Sequence, residues 1–176
     1  MDELNRLSPE AFKQKPKHAF CLILDNIRSM NNVGSVFRTA DAFVASHVHL
    51  CGITATPPHR DIEKTALGAT ESVAWSYHKN TRELVVQLQQ DGWVVLAVEQ
   101  VKTSQLLHHF QPNPNQKYAF VLGNEVFGVE EDVIEVVNGT LEIPQGGTKH
   151  SLNISVTTGI VCWDFVSKMN VFQKSE

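Results

Sequence analysis

The sequence predicts an α/β fold, in which a mostly parallel sheet is flanked by helices. Residues 19–27, AFCLILDNI, are an almost continuous apolar run, the pattern of a strand buried on both faces. Residues 81–92, TRELVVQLQQDG, have the apolar spacing of an amphipathic helix that Gly92 terminates. Segments of these two kinds alternate along the chain, and such alternation is typical of parallel sheets.

The other elements follow the same two patterns. After a polar lead over residues 1–18, with a helical turn following Ser8 and Pro9, we expect a single domain over residues 19–176. Further strands are predicted over residues 47–53, 71–78, 93–100, 118–125 and 140–145. Further helices are predicted over residues 32–43, 129–138 and 151–172, and a short helix or turn over residues 62–69.

The composition argues against a membrane protein and against a secreted one. No apolar run approaches the roughly 18–20 residues of a membrane span, and the first residues have no signal-peptide pattern. The three cysteines lie far apart in apolar runs, which favours reduced, buried thiols and a cytoplasmic location. We predict no metal site, because the histidine pairs 47/49 and 108/109 lack a third ligand at suitable spacing.

Charge is unevenly distributed along a chain whose net charge is −4. Residues 11–60 carry six Lys or Arg against two Asp, whereas residues 120–142 carry six acidic residues and no basic one. This pattern fits either an uneven solvated surface or a basic face for a polyanion with the acidic part facing away.

Three polar clusters follow predicted strands. They are DNIRSMNN after the first strand, GNEVFG after the fifth and QGGTKHSLN after the sixth. Because ligands of open α/β sheets bind at the carboxyl ends of the strands, these clusters together predict a ligand site.

Each cluster also has a purely structural interpretation. In the structural interpretation, Asn32 caps a helix and Arg38 is a solvated surface residue. In the functional one, both side chains project from similar sides of the helix, where Asn32 orients a polar group and Arg38 binds phosphate. Glu125 lies at a buried strand's edge, where a carboxylate needs a partner, although the G-x-E-x-x-G spacing is common in turns. Ser151 is a reasonable helix N-cap, which leaves Asn153 unexplained.

Taken in order, NNVGSVFRTADAF, VLGNEVFGV and IPQGGTKHSLNISVTTGI closely resemble the three signature motifs of the SpoU/TrmH family. These are RNA 2'-O-ribose methyltransferases of the SPOUT class, and the resemblance covers about residues 19–170. It implies S-adenosylmethionine as cofactor, a C-terminal trefoil knot, and a homodimer whose active site is completed across the interface.

The resemblance also implies roles for individual residues. The family's catalytic positions correspond to Arg38, Asn32, Glu125, Ser151 and Asn153. The cofactor pocket corresponds to Ala97, Val98, Glu99, Leu122, Gly123, Ile143, Gln145, Ser151 and Leu152. Arg38 is a poor candidate base because the guanidinium pKa lies above about 12, so we expect it chiefly to position ribose and phosphate.

Two positions depart from the family pattern: Val44 stands where Gly is usual, and Gln145 where Met is common. We also expect no separate N-terminal RNA-binding domain, so that RNA recognition falls to the methyltransferase domain; this slightly favours tRNA over rRNA as substrate. Candidate phosphate contacts are Lys13, Lys15, Lys17, Arg28, Arg38, Arg60 and Lys64.

Two other functions remain open from the sequence. The chain could be a non-catalytic RNA-binding module on the same fold, although it retains every polar residue of the three motifs. It could also be an α/β enzyme acting on a small nucleotide-like molecule, which rests on fold analogy alone.

Overall fold

A computed structural model describes residues 8–148 and 151–169. Within these ranges the chain forms a seven-stranded sheet in the order β3-β2-β1-β6-β4-β7-β5, and every paired strand is parallel to its neighbour. The predicted α/β class is therefore confirmed. The knot implied by the resemblance stays a prediction, as does the division into a lead and one domain.

The elements follow one another from a short N-terminal helix to a long C-terminal one. The strands are β1 (Phe20–Asp25), β2 (His47–Cys51), β3 (Trp75–His78), β4 (Trp93–Val98), β5 (Gln105–Leu106), β6 (Lys117–Leu122) and β7 (Gly139–Glu142). The helices are α1 (Pro9–Gln14), α2 (Met30–Ala42), α3 (Arg60–Ala66), α4 (Ala69–Ser72), α5 (Thr81–Gln90), α6 (Glu131–Ile134) and α7 (Ile154–Lys168), with a 3₁₀ turn at Leu107–His109.

The core lies on both faces of the sheet, which explains why the central strands are apolar at every position. On one face Phe20 and Phe120 pack against Phe165 of α7, with ring centroids 5.2 and 5.4 Å from it. On the other face alternate strand residues such as Val95 and Ala97 belong to a second buried cluster with α5. Strands buried on both faces cannot show a period-two pattern, so the continuous runs predicted them correctly.

Three predicted helices differ from the structure at their ends. The helix expected over residues 129–138 is only the turn Glu131–Ile134; the N–H groups of Val129 and Glu130 before it donate to the Glu99 and Asp25 carboxylates, and the Asn138 N–H after it donates to the Val95 carbonyl oxygen of β4. The helix expected from residue 62 begins at Arg60 and is followed by the separate α4. The predicted last helix begins at Ile154 rather than residue 151, and its predicted end, residues 170–172, lies outside the described residues.

The lead and the short strand β5 show where sequence pattern is weakest. Ser8 accepts a hydrogen bond from the Ala11 N–H and caps α1, which confirms the predicted helical turn; residues 1–7 lie outside the described residues. Strand β5 was not predicted, because two residues that pair with β7 are too few to show any periodicity. No helix of the described part of the chain is long and apolar enough to cross a membrane.

Candidate active site

Loops from three separate parts of the chain meet at the carboxyl edge of the sheet, around the neighbouring strands β1 and β6. These strands separate chain segments that run outward in opposite directions, β2 and β3 on one side and β4, β7 and β5 on the other. Parallel α/β sheets form their ligand clefts at such a reversal of strand order. The predicted convergence of the three polar clusters is therefore observed in the structure.

Glu125 joins the first two clusters. Its carboxylate oxygens accept hydrogen bonds from the backbone N–H groups of Arg28 and Ser29, both at 3.1 Å, and from the Asn32 amide at 3.2 Å. Burial acts to raise the pKa of Glu125, but these hydrogen bonds and one from its own N–H outweigh it and hold the pKa below its ordinary value. Glu125 is therefore an ionised anchor whose oxygens are already committed to neighbouring donors.

Asn32 connects this anchor to the third cluster. The Asn32 amide nitrogen donates to Glu125, and the Asn32 amide oxygen therefore faces Asn153. The Asn153 amide nitrogen donates to this oxygen at 3.3 Å. The Asn153 oxygen accepts from the backbone N–H of Ser155 at 2.8 Å and from its hydroxyl at 2.6 Å. These hydrogen bonds run from α7 to the Glu125 carboxylate, and they fix the orientation of both the Asn153 and the Asn32 amide.

The two capping predictions for these segments were wrong. Ser29, not Asn32, caps α2, because its hydroxyl accepts from the Asn32 N–H at 3.2 Å. Asn153, not Ser151, caps α7. Ser151 borders the cavity described below and makes no hydrogen bond with any residue of 8–148 or 151–169. The serine, rather than the asparagine, is thus the residue that local structure leaves unexplained.

An open cavity of about 260 Å³ lies beside this network. Residues from the ends of β4, β6 and β7 and from the start of the last helical segment surround it. The predicted cofactor residues that line it are Val98, Glu99, Leu122, Gly123, Ile143, Gln145, Ser151 and Leu152. Residues outside the predicted cofactor set also line it, namely Gln100, Asn124, Val126, Phe127, Gly128, Leu141, Glu142, Ile154 and Thr157.

Ala97, the remaining predicted cofactor residue, is not among the residues that line this cavity. Its side chain is fully buried in the cluster on the opposite face of the sheet, because successive residues of a strand alternate between faces. Its neighbours Val98 and Glu99 reach the cavity instead.

The loop between Gly123 and Gly128 is fixed from several sides. A Cβ atom on Gly123 would lie 2.2 Å from the Gly128 carbonyl carbon, and Gly128 has a φ of +73°. The Glu99 carboxylate accepts the Val129 N–H at 3.0 Å, which ties the end of the loop to β4. Glu99 therefore helps to fix the shape of the cavity wall.

Two asparagines that sequence patterns did not single out organise the loops beneath the site. Asn26, at a φ of +56°, donates to Glu130 at 2.8 Å and accepts the Ile53 N–H at 3.0 Å. The Asn124 amide donates to the Asn26 carbonyl oxygen at 2.6 Å. The only available signal was an Asn directly after β1 and another two residues after β6, a residue type that tolerates left-handed backbone.

Arg38 takes no part in the hydrogen-bond network that joins Asn32, Glu125 and Asn153. It is exposed and makes no hydrogen bond or ion pair with another described residue. Six helical residues correspond to a rotation of about 600°, so its side chain leaves α2 about 120° away from that of Asn32. The expectation that both project from similar sides of the helix was therefore wrong.

The predicted phosphate contacts are distributed over two regions. Arg28 lies at the carboxyl edge beside Glu125, and Lys64 lies on α3, whose Thr65 hydroxyl donates to the Asn31 carbonyl oxygen at the start of α2. The lysines of the lead precede the amino end of β1, at the opposite edge; the Lys17 ammonium lies 3.2 Å from the centroid of the Phe12 ring, which it packs against. Lys13, Lys15, Arg38 and Arg60 are exposed.

The basic and acidic segments of the sequence are in contact at one point, and the proposal of a basic face elsewhere stays a prediction. Glu125 and Glu130 contact the segment that contains Arg28, because β1 and β6 are adjacent in the sheet.

Three histidines cluster at the other end of the sheet. His49 Nδ1 lies 3.1 Å from His78 Nε2, and the Ser76 hydroxyl lies within 3.2 Å of His47, His49 and His78. Burial, followed by the charges of its two neighbours, lowers the pKa of His49 to about 3. In the part of the chain that the structure describes, no group of three His, Cys, Asp or Glu side chains could hold a metal ion.

Comparison with known proteins agrees with this fold. Residues 19–163 match the model of the SpoU rRNA Methylase family, which is most of the chain. The 23S rRNA (guanosine-2'-O-)-methyltransferase RlmB of Neisseria meningitidis serogroup B is 32% identical over 145 residues, which are 80% of this chain and 55% of RlmB.

Solved structures show the same architecture. The A. aeolicus TrmH/SpoU tRNA modifying enzyme superposes with a TM-score of 0.80 at 21% identity, over 91% of this chain and 80% of that one. The AdoMet-bound rRNA methyltransferase from Sinorhizobium meliloti superposes with a TM-score of 0.79 at 24% identity, over 92% of this chain and 61% of that one.

The fold and the site together define an α/β protein of the SPOUT methyltransferase class. The chain belongs to the SpoU rRNA methylase family, as the three motifs predicted. S-adenosylmethionine, the predicted cofactor, is bound by the solved neighbour from S. meliloti. The chain spans between 29% and 69% of the length of three curated relatives, so the activity of a whole relative is not transferred to it directly.

Proposed function

We propose that this chain transfers a methyl group from S-adenosylmethionine to the ribose 2'-hydroxyl of a nucleotide in structured RNA, with tRNA favoured over rRNA, and that it works in the cytoplasm. The observation that carries the proposal is the oriented network from Glu125 through Asn32 to Asn153, placed beside an open cavity. Similar proteins act on both classes of RNA: RlmB is a 23S rRNA 2'-O-methyltransferase, and the A. aeolicus TrmH/SpoU protein is a tRNA modifying enzyme.

The residues around the cavity fit the cofactor. Glycine at position 123 lets the backbone of Gly128 and Val129 pack against it where a Cβ atom would have no room, and so sets the shape of the loop that borders the cavity. Glu99, Glu125 and Glu142 place three carboxylates around the cavity, and the residues described as lining it include no Lys or Arg. Such a wall favours a ligand that carries positive charge.

S-adenosylmethionine supplies an activated methyl group on a positively charged sulfur. In our proposal the backbone of Leu122, Gly123, Ile143 and Leu152 holds the adenosine part, and Gln145 borders the opening. The chain's contribution is then chiefly alignment, because well-oriented reactants gain effective molarities of order 10⁵–10⁸ M.

We assign alignment, not proton removal, to the polar residues. Glu125 already accepts three hydrogen bonds from neighbouring segments, and its lowered pKa makes it a weak base. Asn32 and Ser151 border the position that the acceptor ribose would take, and Arg38, free of partners among the described residues, would bind phosphate in its planar fork.

We further propose a homodimer in which Arg38 serves the site of the partner copy. The outer face of α7 supports this, because Val156, Ile160 and Trp163 are 49%, 36% and 59% exposed. Their spacing of four and three residues places them on one side of the helix. An exposed apolar stripe of this kind is typical of a protein interface.

Methyl transfer to RNA tests the proposal. The purified chain is incubated with methyl-labelled S-adenosylmethionine and with tRNA and rRNA from a strain lacking the gene; the label is then located by nuclease digestion and mass spectrometry. We expect the label on ribose and transfer that is at least about 100-fold slower in Arg38→Ala. Arg82→Ala is the control, because it removes another exposed arginine, on α5, and its rate of transfer should be unchanged.

Other results would support other functions. RNA binding with cofactor binding but no transfer would indicate a non-catalytic RNA-binding module. Transfer that survives complete digestion of the RNA would indicate a small nucleotide-like substrate. Label on a base instead of a ribose would refute the assigned reaction.

A further inference from the structure

Phe127 is the most exposed of the large apolar side chains in the described structure. It is 83% exposed and its neighbour Val126 is 65% exposed, although both belong to a loop that borders the cavity. A soluble protein gains nothing for folding from an aromatic ring held in water. Clustered exposed apolar side chains beside a polar site are typical of contact with a partner.

The loop holds this ring in place. The Asn124 side-chain oxygen accepts the N–H groups of Val126 and Phe127 at 2.9 and 3.2 Å, and the Asn124 and Gly128 backbones form two further hydrogen bonds at 2.8 and 2.9 Å. Asn124 is itself buried and bonded to the Asn26 carbonyl oxygen. The backbone at Phe127 is therefore preorganised, which lowers the entropy lost when the ring binds a partner.

The ring also lies close to the site of the proposed reaction. Phe127 is two residues from Glu125, and two residues of chain span at most about 7 Å. Glu125 bonds to Asn32, which borders the acceptor position in the proposed function. A base is attached to the same ribose as the reacting hydroxyl, so it must lie within a similar distance.

The charge around the cavity favours a base over a phosphate as the partner of this ring. Three carboxylates and no Lys or Arg occur among the described residues that line it. A phosphate would be repelled there, whereas a nucleobase is uncharged and presents a flat face. Stacking on aromatic side chains is a general means by which proteins bind unpaired RNA bases.

We propose that Phe127 stacks on the nucleobase of the nucleotide that is methylated, or on the base next to it, and thereby positions the ribose. This inference rests on the proposed function and adds to it a substrate-positioning residue on the loop after β6. The competing occupant is a second copy of this chain, and the experiment below separates the two.

Four variants of the full chain provide the test. Phe127→Ala and Phe127→Leu remove the ring, and Phe127→Leu keeps the apolar character of the side chain. Phe127→Trp keeps an aromatic surface. Tyr77→Leu is the control, because Tyr77 is a half-exposed aromatic residue of β3 that does not line the cavity. The probe is whichever fraction, total tRNA or total rRNA, the wild-type chain methylates.

We expect both ring-deleted variants to lose about 5- to 150-fold in kcat/KM for RNA, the range that corresponds to one lost base–aromatic stack. Phe127→Trp and Tyr77→Leu should stay within about threefold of wild type. The slope of RNA affinity against salt should not change in any variant, because stacking releases no counterions. The Kd for S-adenosylmethionine and the sedimentation coefficient should also stay as in wild type.

Several results would overturn the inference. The first is a wild-type kcat/KM in Phe127→Leu, and the second is a loss of S-adenosylmethionine binding in parallel with the loss of activity. The third is dissociation of a dimer when the ring is removed, which would place Phe127 between copies of the chain. If the wild-type chain methylates no RNA at all, the proposed function fails; if it methylates RNA and Phe127→Leu matches it, only the stacking role fails.

Discussion

Replacing Glu125 with glutamine tests the central claim that this carboxylate fixes its own loop to the segment Arg28–Asn32. One oxygen accepts the Arg28 N–H, and the other accepts from Ser29 and Asn32. A glutamine can keep its oxygen toward only one of these two directions, so its amide nitrogen must face at least one N–H donor. The change therefore removes at least one hydrogen bond to a charged group.

The expected cost follows from that count. A hydrogen bond to a charged group contributes about 1.5–3 kcal/mol, and the exposure of this loop reduces the figure to about 1–2 kcal/mol. For a chain of this size such a loss lowers Tm by about 2–8 °C. Methyl transfer should fall as well, because Asn32 and the loop that carries Phe127 lose their common anchor.

Thermal unfolding at several pH values provides the assay, with Glu135→Gln as a control of equal charge change. Glu135 is exposed, and its side chain has no hydrogen bond within the described structure. Since the pKa of Glu125 is lowered in the native state, its contribution is complete above its ordinary pKa of 4.5 and is lost as pH falls through the native value. The difference between wild type and Glu125→Gln should therefore close below pH 4.5.

The reasoning would be refuted if Glu125→Gln were as stable as Glu135→Gln at pH 7. It would also be refuted if the deficit of Glu125→Gln stayed constant down to the lowest pH at which the chain is folded.

Three further predictions follow from other parts of the structure. Gly128→Ala should lower the free energy of unfolding by about 2–4 kcal/mol, because φ at this position is positive and the new Cβ would lie 2.2 Å from the Glu99 carboxylate. The variant should also bind S-adenosylmethionine more weakly in calorimetry, and wild-type affinity would contradict this. Ile160→Glu combined with Trp163→Glu should sediment as a monomer and lose methyl transfer, and a dimer that persists would rule out the α7 face as the interface. The pKa of His49 is lowered to about 3, so its contribution to the free energy of unfolding is complete above pH 6.5 and is lost as pH decreases toward 3. Between pH 6.5 and 5, the free energy of unfolding in urea should therefore fall by about 1–2 kcal/mol less in His49→Gln than in wild type. Parallel curves for the two proteins would show that the His49 pKa is not lowered.

Pattern in the sequence was sufficient for the central strands and for the longer helices. Strand β1 lies in the interior of the sheet and is apolar at nearly every position, and α5 shows a clear helical period. Pattern failed where tertiary contacts decide an element's end. The acidic segment after Gly128 has helical character, but only one turn forms, and by residue 138 the backbone bonds to Val95 of β4 instead of continuing the helix.

The site shows the same division. The three motifs identified the family and named Asn32, Glu125 and Asn153, because these residue types recur at fixed places in the family pattern. They did not show that Asn153 is the cap of α7, that Asn26 and Asn124 support the loops, or that Ala97 faces the core. Each of these depends on which way a side chain points, and a difference of one residue reverses that direction in a strand.

The sequence alone determined the fold class, the family and the chemistry available at the carboxyl edge, because burial and motif spacing are written into local residue order. Only the tertiary structure decided which donors meet which acceptors. Adjacency of β1 and β6 brings Glu125 to Arg28, nearly a hundred residues earlier in the chain, and leaves Arg38 and Phe127 exposed to solvent. Hydrogen bonds depend on distances of a few tenths of an ångström, and such distances are set by packing across the sheet rather than by local pattern.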